Sequence, residues 1–169
     1  MTWIAPTPTH EDHQPLTGSA QSILVGYLAA QRAGLLNVCA GLTADQMAAR
    51  SVAPSTLSLL GLVRHLTKVE RTWLRIRVAG EDVAPLFPRK DEDFDDVRAD
   101  DAGSAFAALQ AEWGACDTAV RGLPLETTFD YRGQEMSLGS VYAHLIEEYA
   151  RHNGHADLLR ESIDGVTGR

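Results

Sequence analysis

Glu148, His152 and His155 follow one another at spacings of four and three residues, which stacks their side chains on one face of a helix. Val141 and Leu145 precede them on the same stripe and Leu159 follows, so three polar side chains replace apolar ones on a face that should be buried. Left unpartnered, an ionised carboxylate and two imidazoles would strongly oppose folding there. Carboxylate and imidazole are also the donors that divalent transition metals take, and Glu148 and His152 are close enough to chelate a single ion. A second stripe, Leu59 or Leu62 followed by His65, Val69, Trp73 and Ile76, turns polar at His65. That histidine can complete a site assembled between facing helices. Taken alone, His65 reads equally as a hydrogen-bonded core histidine, and Glu148 as the ion-pair partner of Arg151 or Arg64. Two stripes that both turn polar near their middles, with only metal-ligand residue types, favour a metal site. His144 lies at the edge of the stripe, and Glu147 and Tyr149 lie off it.

Four helical patterns would position these residues. The first spans about 19–40, with Leu24, Leu28, Gln31, Leu35 and Val38 at helical spacing and Gly41 where a C-cap belongs. A capped single turn follows at Thr43-Ala44-Asp45-Gln46. Ser55 or Thr56 can cap a second helix that runs to Val78 and stops at Gly80. The chain then reads as a loop through Pro85 and Pro88 into the acidic run Asp91-Glu92-Asp93-Phe94-Asp95-Asp96. Asp91, Asp93 and Asp95 imitate the start of a calcium loop, but Asp96 stands where glycine is needed and Ala102 where glutamate is needed. A solvated loop is expected instead. Asp100 and Asp101 favour a helix N-terminus, and the third helix, 102–121, carries Phe106, Leu109, Trp113, Cys116 and Val120 inward. Residues 125–136, with Phe129, Tyr131 and Met136 around Gly133, form a small hairpin or an irregular loop. Ser137 caps the fourth helix, which ends near Ile163. The economical architecture is an all-α four-helix bundle with one long connection between helices 2 and 3. Residues 1–16 are an extended lead-in with His10 and His13 solvated, and 17–169 form a single domain without internal repeats.

The chain has 169 residues, 15 Lys plus Arg against 23 Asp plus Glu, and a net charge of -8. A soluble chain of this length builds a core without disulfides or a structural metal, so a metal here would serve chemistry. The acidic balance excludes nucleic acid and anionic membranes as partners, because both require clustered cations. No basic leader and no run of about 20 apolar residues is visible, which places the protein in the cytoplasm. Cys39 and Cys116 read as buried thiols in a reducing compartment. Thirteen arginines against two lysines indicate a GC-rich, actinobacterial type of coding sequence.

Two segments carry a family resemblance. Leu59-Leu60-Gly61-Leu62-Val63-Arg64-His65-Leu66, followed by Val69-Glu70-Arg71-Thr72-Trp73, is one; His144-Leu145-Ile146-Glu147-Glu148-Tyr149-Ala150-Arg151-His152-Asn153-Gly154-His155-Ala156-Asp157 is the other. From about residue 18 to Gly165 the chain resembles the DinB-like superfamily, nearest to its actinobacterial branch. The resemblance implies a four-helix bundle, a homodimer, and one divalent metal between helices 2 and 4. It assigns the ligands as His65, Glu148 and His152, with His155 behind them or as an exchangeable fourth. Glu148 stands where many members have histidine, a variation similar to that of the mycothiol-dependent maleylpyruvate isomerases, which this chain resembles only in their metal domain. Two imidazoles and a carboxylate suit zinc first, with nickel, iron(II) or manganese also accommodated. The implied activity is transfer of a low-molecular-weight thiol, mycothiol by the composition, to a small electrophile. A hydrolase using the same triad and a non-catalytic metal-binding or scaffold protein are the alternatives.

Overall fold

The computed structural model describes residues 3–8 and 14–167. His10 and His13 lie outside them. Helix α1 (Ala20–Cys39) starts at Ser19, whose hydroxyl accepts from the Ser22 amide, and ends before Gly41 at φ 77°, a left-handed position that glycine adopts without strain. The expected turn is a short helix, α2 (Ala44–Ala48), closed by a reciprocal capping box between Thr43 and Gln46. The next helix, α3 (Leu59–Glu70), begins at Ser58 and not at Ser55 or Thr56. The Ser55 hydroxyl instead accepts from the Leu57 amide, holding those residues in a turn.

From Arg71 to Val78 this helix widens into π geometry, ending with the Ala79 amide bonded to the Leu74 carbonyl five residues back. The change in winding alters the inward face. Leu74 is fully buried, whereas Trp73 and Ile76, expected in the core, are half-buried. A single turn, α4 (Glu92–Asp95), and a 3-10 turn (Ala99–Asp101) lead into α5 (Ala102–Ala119). A two-stranded hairpin follows, β1 (Thr128–Tyr131) and β2 (Gln134–Ser137), pairing Phe129 with Met136 and Tyr131 with Gln134. Arg132 and Gly133, at φ 59° and 80°, make the mirror-image two-residue turn that matches strand twist. Ser137 then caps the longest helix, α6 (Leu138–Asp164), which Gly165 terminates at φ 78°.

The structure is mainly helical with this small sheet added. Helix α6 lies along α1 and touches α3, while α5 packs on α3 and its π-helical continuation. Arg160 of α6 donates to the Val38 and Ala40 carbonyls at 2.6 and 2.9 Å, satisfying acceptors that the end of α1 leaves open. Residues 3–8 of the lead-in are anchored to the helices. Ile4 bridges Thr43, Ala5 is buried, and the Trp3 ring lies 5.2 Å from that of Phe106.

Helix α1 is long and apolar enough by length and composition to cross a bilayer, contrary to the expectation from sequence. Arg32 near its middle argues for a packed helix instead. Its guanidinium donates to both carboxylate oxygens of Glu70 in α3 at 2.7 Å, and to Asp117 in α5 at 3.0 and 3.1 Å. The Tyr149 hydroxyl of α6 donates to Glu70 at 3.0 Å and accepts from the Trp113 indole of α5 at 2.8 Å. One polar cluster therefore ties α1, α3, α5 and α6. A second holds α5 to the π-helical segment, where buried Glu112 accepts from Arg71 and Arg75. Burial pushes the Glu112 carboxyl up, but the two guanidiniums outweigh it and hold the group below its ordinary value.

Removing one partner of a buried pair strands the other's charge. Glu70→Ala is expected to cost about 3–5 kcal/mol in urea unfolding, and the apolar pair Arg32→Met with Glu70→Leu to recover most of that loss; a single-variant cost below about 1 kcal/mol would contradict this account. Glu112 contributes stability above the unfolded glutamate value of about 4.3, and that contribution is lost as pH falls through its lower folded value. Glu112→Gln should therefore lower the melting temperature at neutral pH and flatten its acid dependence below about pH 4.3.

Candidate metal centre

His65, in the middle of α3, and Glu148 and His152, one turn apart on α6, meet where these two helices touch. His65 Nε2 is 3.8 Å from Glu148 Oε2, and His152 Nε2 is 3.5 Å from the same oxygen. One donor atom from each of the three residues lies within 4.8 Å of the others, a grouping that could hold a metal ion. Donors bound at about 2.0–2.1 Å around a tetrahedral ion stand about 3.3 Å apart, so the two separations to Glu148 need only a small contraction. The side chains are 18, 17 and 11% exposed for His65, Glu148 and His152.

His65 Nδ1 is 2.8 Å from Asp93 Oδ2, and its ring stacks on Phe94 with centroids 4.6 Å apart. Burial pushes the Asp93 carboxyl up, but hydrogen bonds from His65 and Lys68 outweigh it and bring the group down to about 2. An ionised carboxylate can only accept, so the hydrogen bond assigns a proton to Nδ1, and in the neutral ring this leaves the lone pair on Nε2. His65 Nε2 is buried and has no hydrogen-bond partner. An acceptor lone pair aimed at a carboxylate and a second imidazole nitrogen is an expensive arrangement unless a cation joins them, so these residues fit a divalent metal. His152 is equally suited, since burial and the neighbouring His65 push its imidazole down to about 4, keeping it neutral and able to bind at physiological pH.

The remaining polar residues of this region point elsewhere. His155 Nδ1 faces His152 Nδ1 at 3.4 Å, the nitrogen opposite the one that approaches Glu148, and His155 is outside the three-residue grouping. His144 packs edge-on against Trp73 at 4.7 Å. Arg151 pairs with Glu147 at 2.6 Å and reaches Glu148 Oε1 only at 3.6 Å. Arg64 donates instead to the backbone carbonyls of Asp93 and Glu92 at 3.1 and 2.9 Å. Tyr149, set aside as off the stripe, is fully buried.

The acidic run corrects the sequence reading most. Asp95 and Asp96 are exposed, as a solvated loop requires, at 64 and 62% for their side chains. Asp93, however, is 1% exposed and forms the back wall of the site. Only one signal in the sequence pointed to this: Phe94, a large apolar residue inside a run of acids, which has to be buried against something.

Residues 23–165 match the family model described as Mycothiol-S-transferase. No curated protein and no solved structure gives a significant match. The α3 and α6 segments that carry the ligand grouping both lie inside the matched span, which covers most of the chain; the chain belongs to the mycothiol S-transferase family, a DinB-like family.

Proposed function

We propose that the protein is a metal-dependent thiol S-transferase that joins the sulfur of a mycothiol-type thiol to a small electrophile. The observation that carries this reading is the buried, unpartnered Nε2 of His65 facing Glu148 and His152 in a chain of this family. His65, Glu148 and His152 would hold one divalent ion, zinc before nickel, iron(II) or manganese, within a single four-helix bundle domain of DinB type. When bound, such an ion supplies a Lewis acid that favours the thiolate over the thiol. In the overall reaction the thiol S–H bond and the electrophile's carbon–leaving-group bond break, a sulfur–carbon bond forms, the leaving group departs with its bonding pair, and the thiol proton passes to solvent.

The protein's own sulfur supports an external thiol. Cys39 and Cys116 are both fully buried. Burial pushes the Cys39 thiol up to about 12, and burial with the nearby Glu70 and Glu112 charges pushes Cys116 up as well. Neither can act as a thiolate nucleophile. Phe94 covers one face of His65 and keeps water from that side. We extend the proposal to the cytoplasm, where free thiols persist. We extend it also to a homodimer: about a third of the apolar stretch of α1 is buried within the chain, and Val25 is left 43% exposed.

Tag-free protein is expected to carry about one divalent ion per chain by elemental analysis, and Glu148→Ala or His152→Ala to lose it while keeping the helical circular-dichroism spectrum. With mycothiol and a bimane electrophile, the loaded protein should form the thioether and both variants should fall to background. Ester or amide hydrolysis without thiol turnover would move the assignment to a hydrolase. Absence of stoichiometric metal would leave a non-catalytic protein.

A further inference from the structure

His65 can present a lone pair at Nε2 only if its single neutral-state proton sits on Nδ1, the tautomer that a free histidine side chain in water disfavours. Something must therefore hold the ring that way. Among the described residues the group bonded to Nδ1 is the Asp93 carboxylate, at 2.8 Å and 1% exposure. The carboxylate is itself fixed from the same helix. Lys68 Nζ is 3.1 Å from its other oxygen, and Arg64 grips the backbone of the segment through the Asp93 and Glu92 carbonyls. Phe94 adds the stacked contact on the imidazole face. Side chains at positions 64, 65 and 68 of α3 thus bind residues 92–94 at the carbonyls, the carboxylate and the ring. That is more than docking a loop requires, because the Asp93–His65 bond leaves Nε2 buried without a partner. A contact serving stability alone would not impose that cost. The second imidazole differs: behind His152 stands His155 at 3.4 Å, a longer contact and not a carboxylate.

We propose that Asp93 is a positioning residue for the metal centre, fixing His65 in its Nδ1–H tautomer and aiming Nε2 at Glu148 and His152. The acidic segment is then part of the site's construction, supplying the outer carboxylate that orients a ligating histidine. This rests on the ligand assignment of the preceding section, and its test separates the two.

Full-length Asp93→Ala, Asp93→Asn and Arg64→Ala would be compared with the parent by nitrogen-15 NMR of the histidine rings in metal-free protein. Zinc affinity would be measured by competition with a chelator. In the parent, His65 should be the Nδ1–H tautomer before any metal is added. Asp93→Ala should shift it toward Nε2–H and weaken zinc binding about 10–100-fold, with the helical spectrum unchanged. Asp93→Asn keeps the shape of the side chain and an acceptor oxygen, so it should fold even if the alanine variant does not, and should fall between parent and alanine on both readouts. Arg64→Ala loosens the backbone grip and leaves the carboxylate, so it should keep the Nδ1–H tautomer. An unchanged tautomer in both Asp93 variants, or an equal affinity loss in Arg64→Ala, would overturn the proposal and reduce Asp93 to a loop tether. A parent that binds no zinc yet shows the Asp93-dependent tautomer would overturn the ligand assignment and leave the positioning role standing.

Discussion

A carboxylate with no exposed surface must be met by a cation, and Glu70 of α3 meets Arg32 of α1 through two 2.7 Å hydrogen bonds. Desolvation is so costly that these groups cannot drift apart without stranding a charge, so the pair sets how α1 and α3 face each other. Tyr149 adds α6 to the same carboxylate, and Asp117 and Trp113 add α5. The candidate metal centre inherits that alignment. His65 lies five residues before Glu70, about 140° around the helix, and Glu148 adjoins Tyr149. With Glu70 turned toward α1 and α6, His65 is turned toward α4 and the neighbouring face of α6, where Glu148 and His152 stand.

Two polar layers of different character result. Around Glu70 every charge has an opposite charge in contact, and the layer is closed to chemistry. Around Glu148 the charges are incomplete: one carboxylate oxygen faces two imidazole nitrogens, and His65 Nε2 bonds to nothing. A core already supported by the closed layer does not need the open one for stability, which is why function explains it better than packing. Both cysteines fall within the apolar and closed parts of the core, so neither presents its sulfur at this open layer.

The net charge of -8 also divides into two physical roles. Most acids of the 91–101 stretch are solvated. One of them, Asp93, is inverted into the site and held by Lys68, one of the two lysines in the chain. Charge at the level of composition could not separate these roles, because the same residue type two positions along, Asp95, is exposed.

Periodicity alone determined the four long helices and the Glu148–His152 ladder, because helix geometry places residues four apart on one face whatever surrounds them, and residue type marked the Ser137 cap but not the one at Ser58. Periodicity placed His65 on a stripe of its own for the same reason. The two-residue turn of the hairpin was half legible through Gly133 and its alternating neighbours. What only the tertiary structure decided are relations between distant segments: the π-helical widening that turns Leu74 inward in place of Trp73, the Arg32–Glu70 pair, and Asp93 behind His65. Each depends on which groups come within hydrogen-bond reach after helices pack. A buried charge is recognised by its partner, and no spacing along the chain records a partner 28 or 38 residues away.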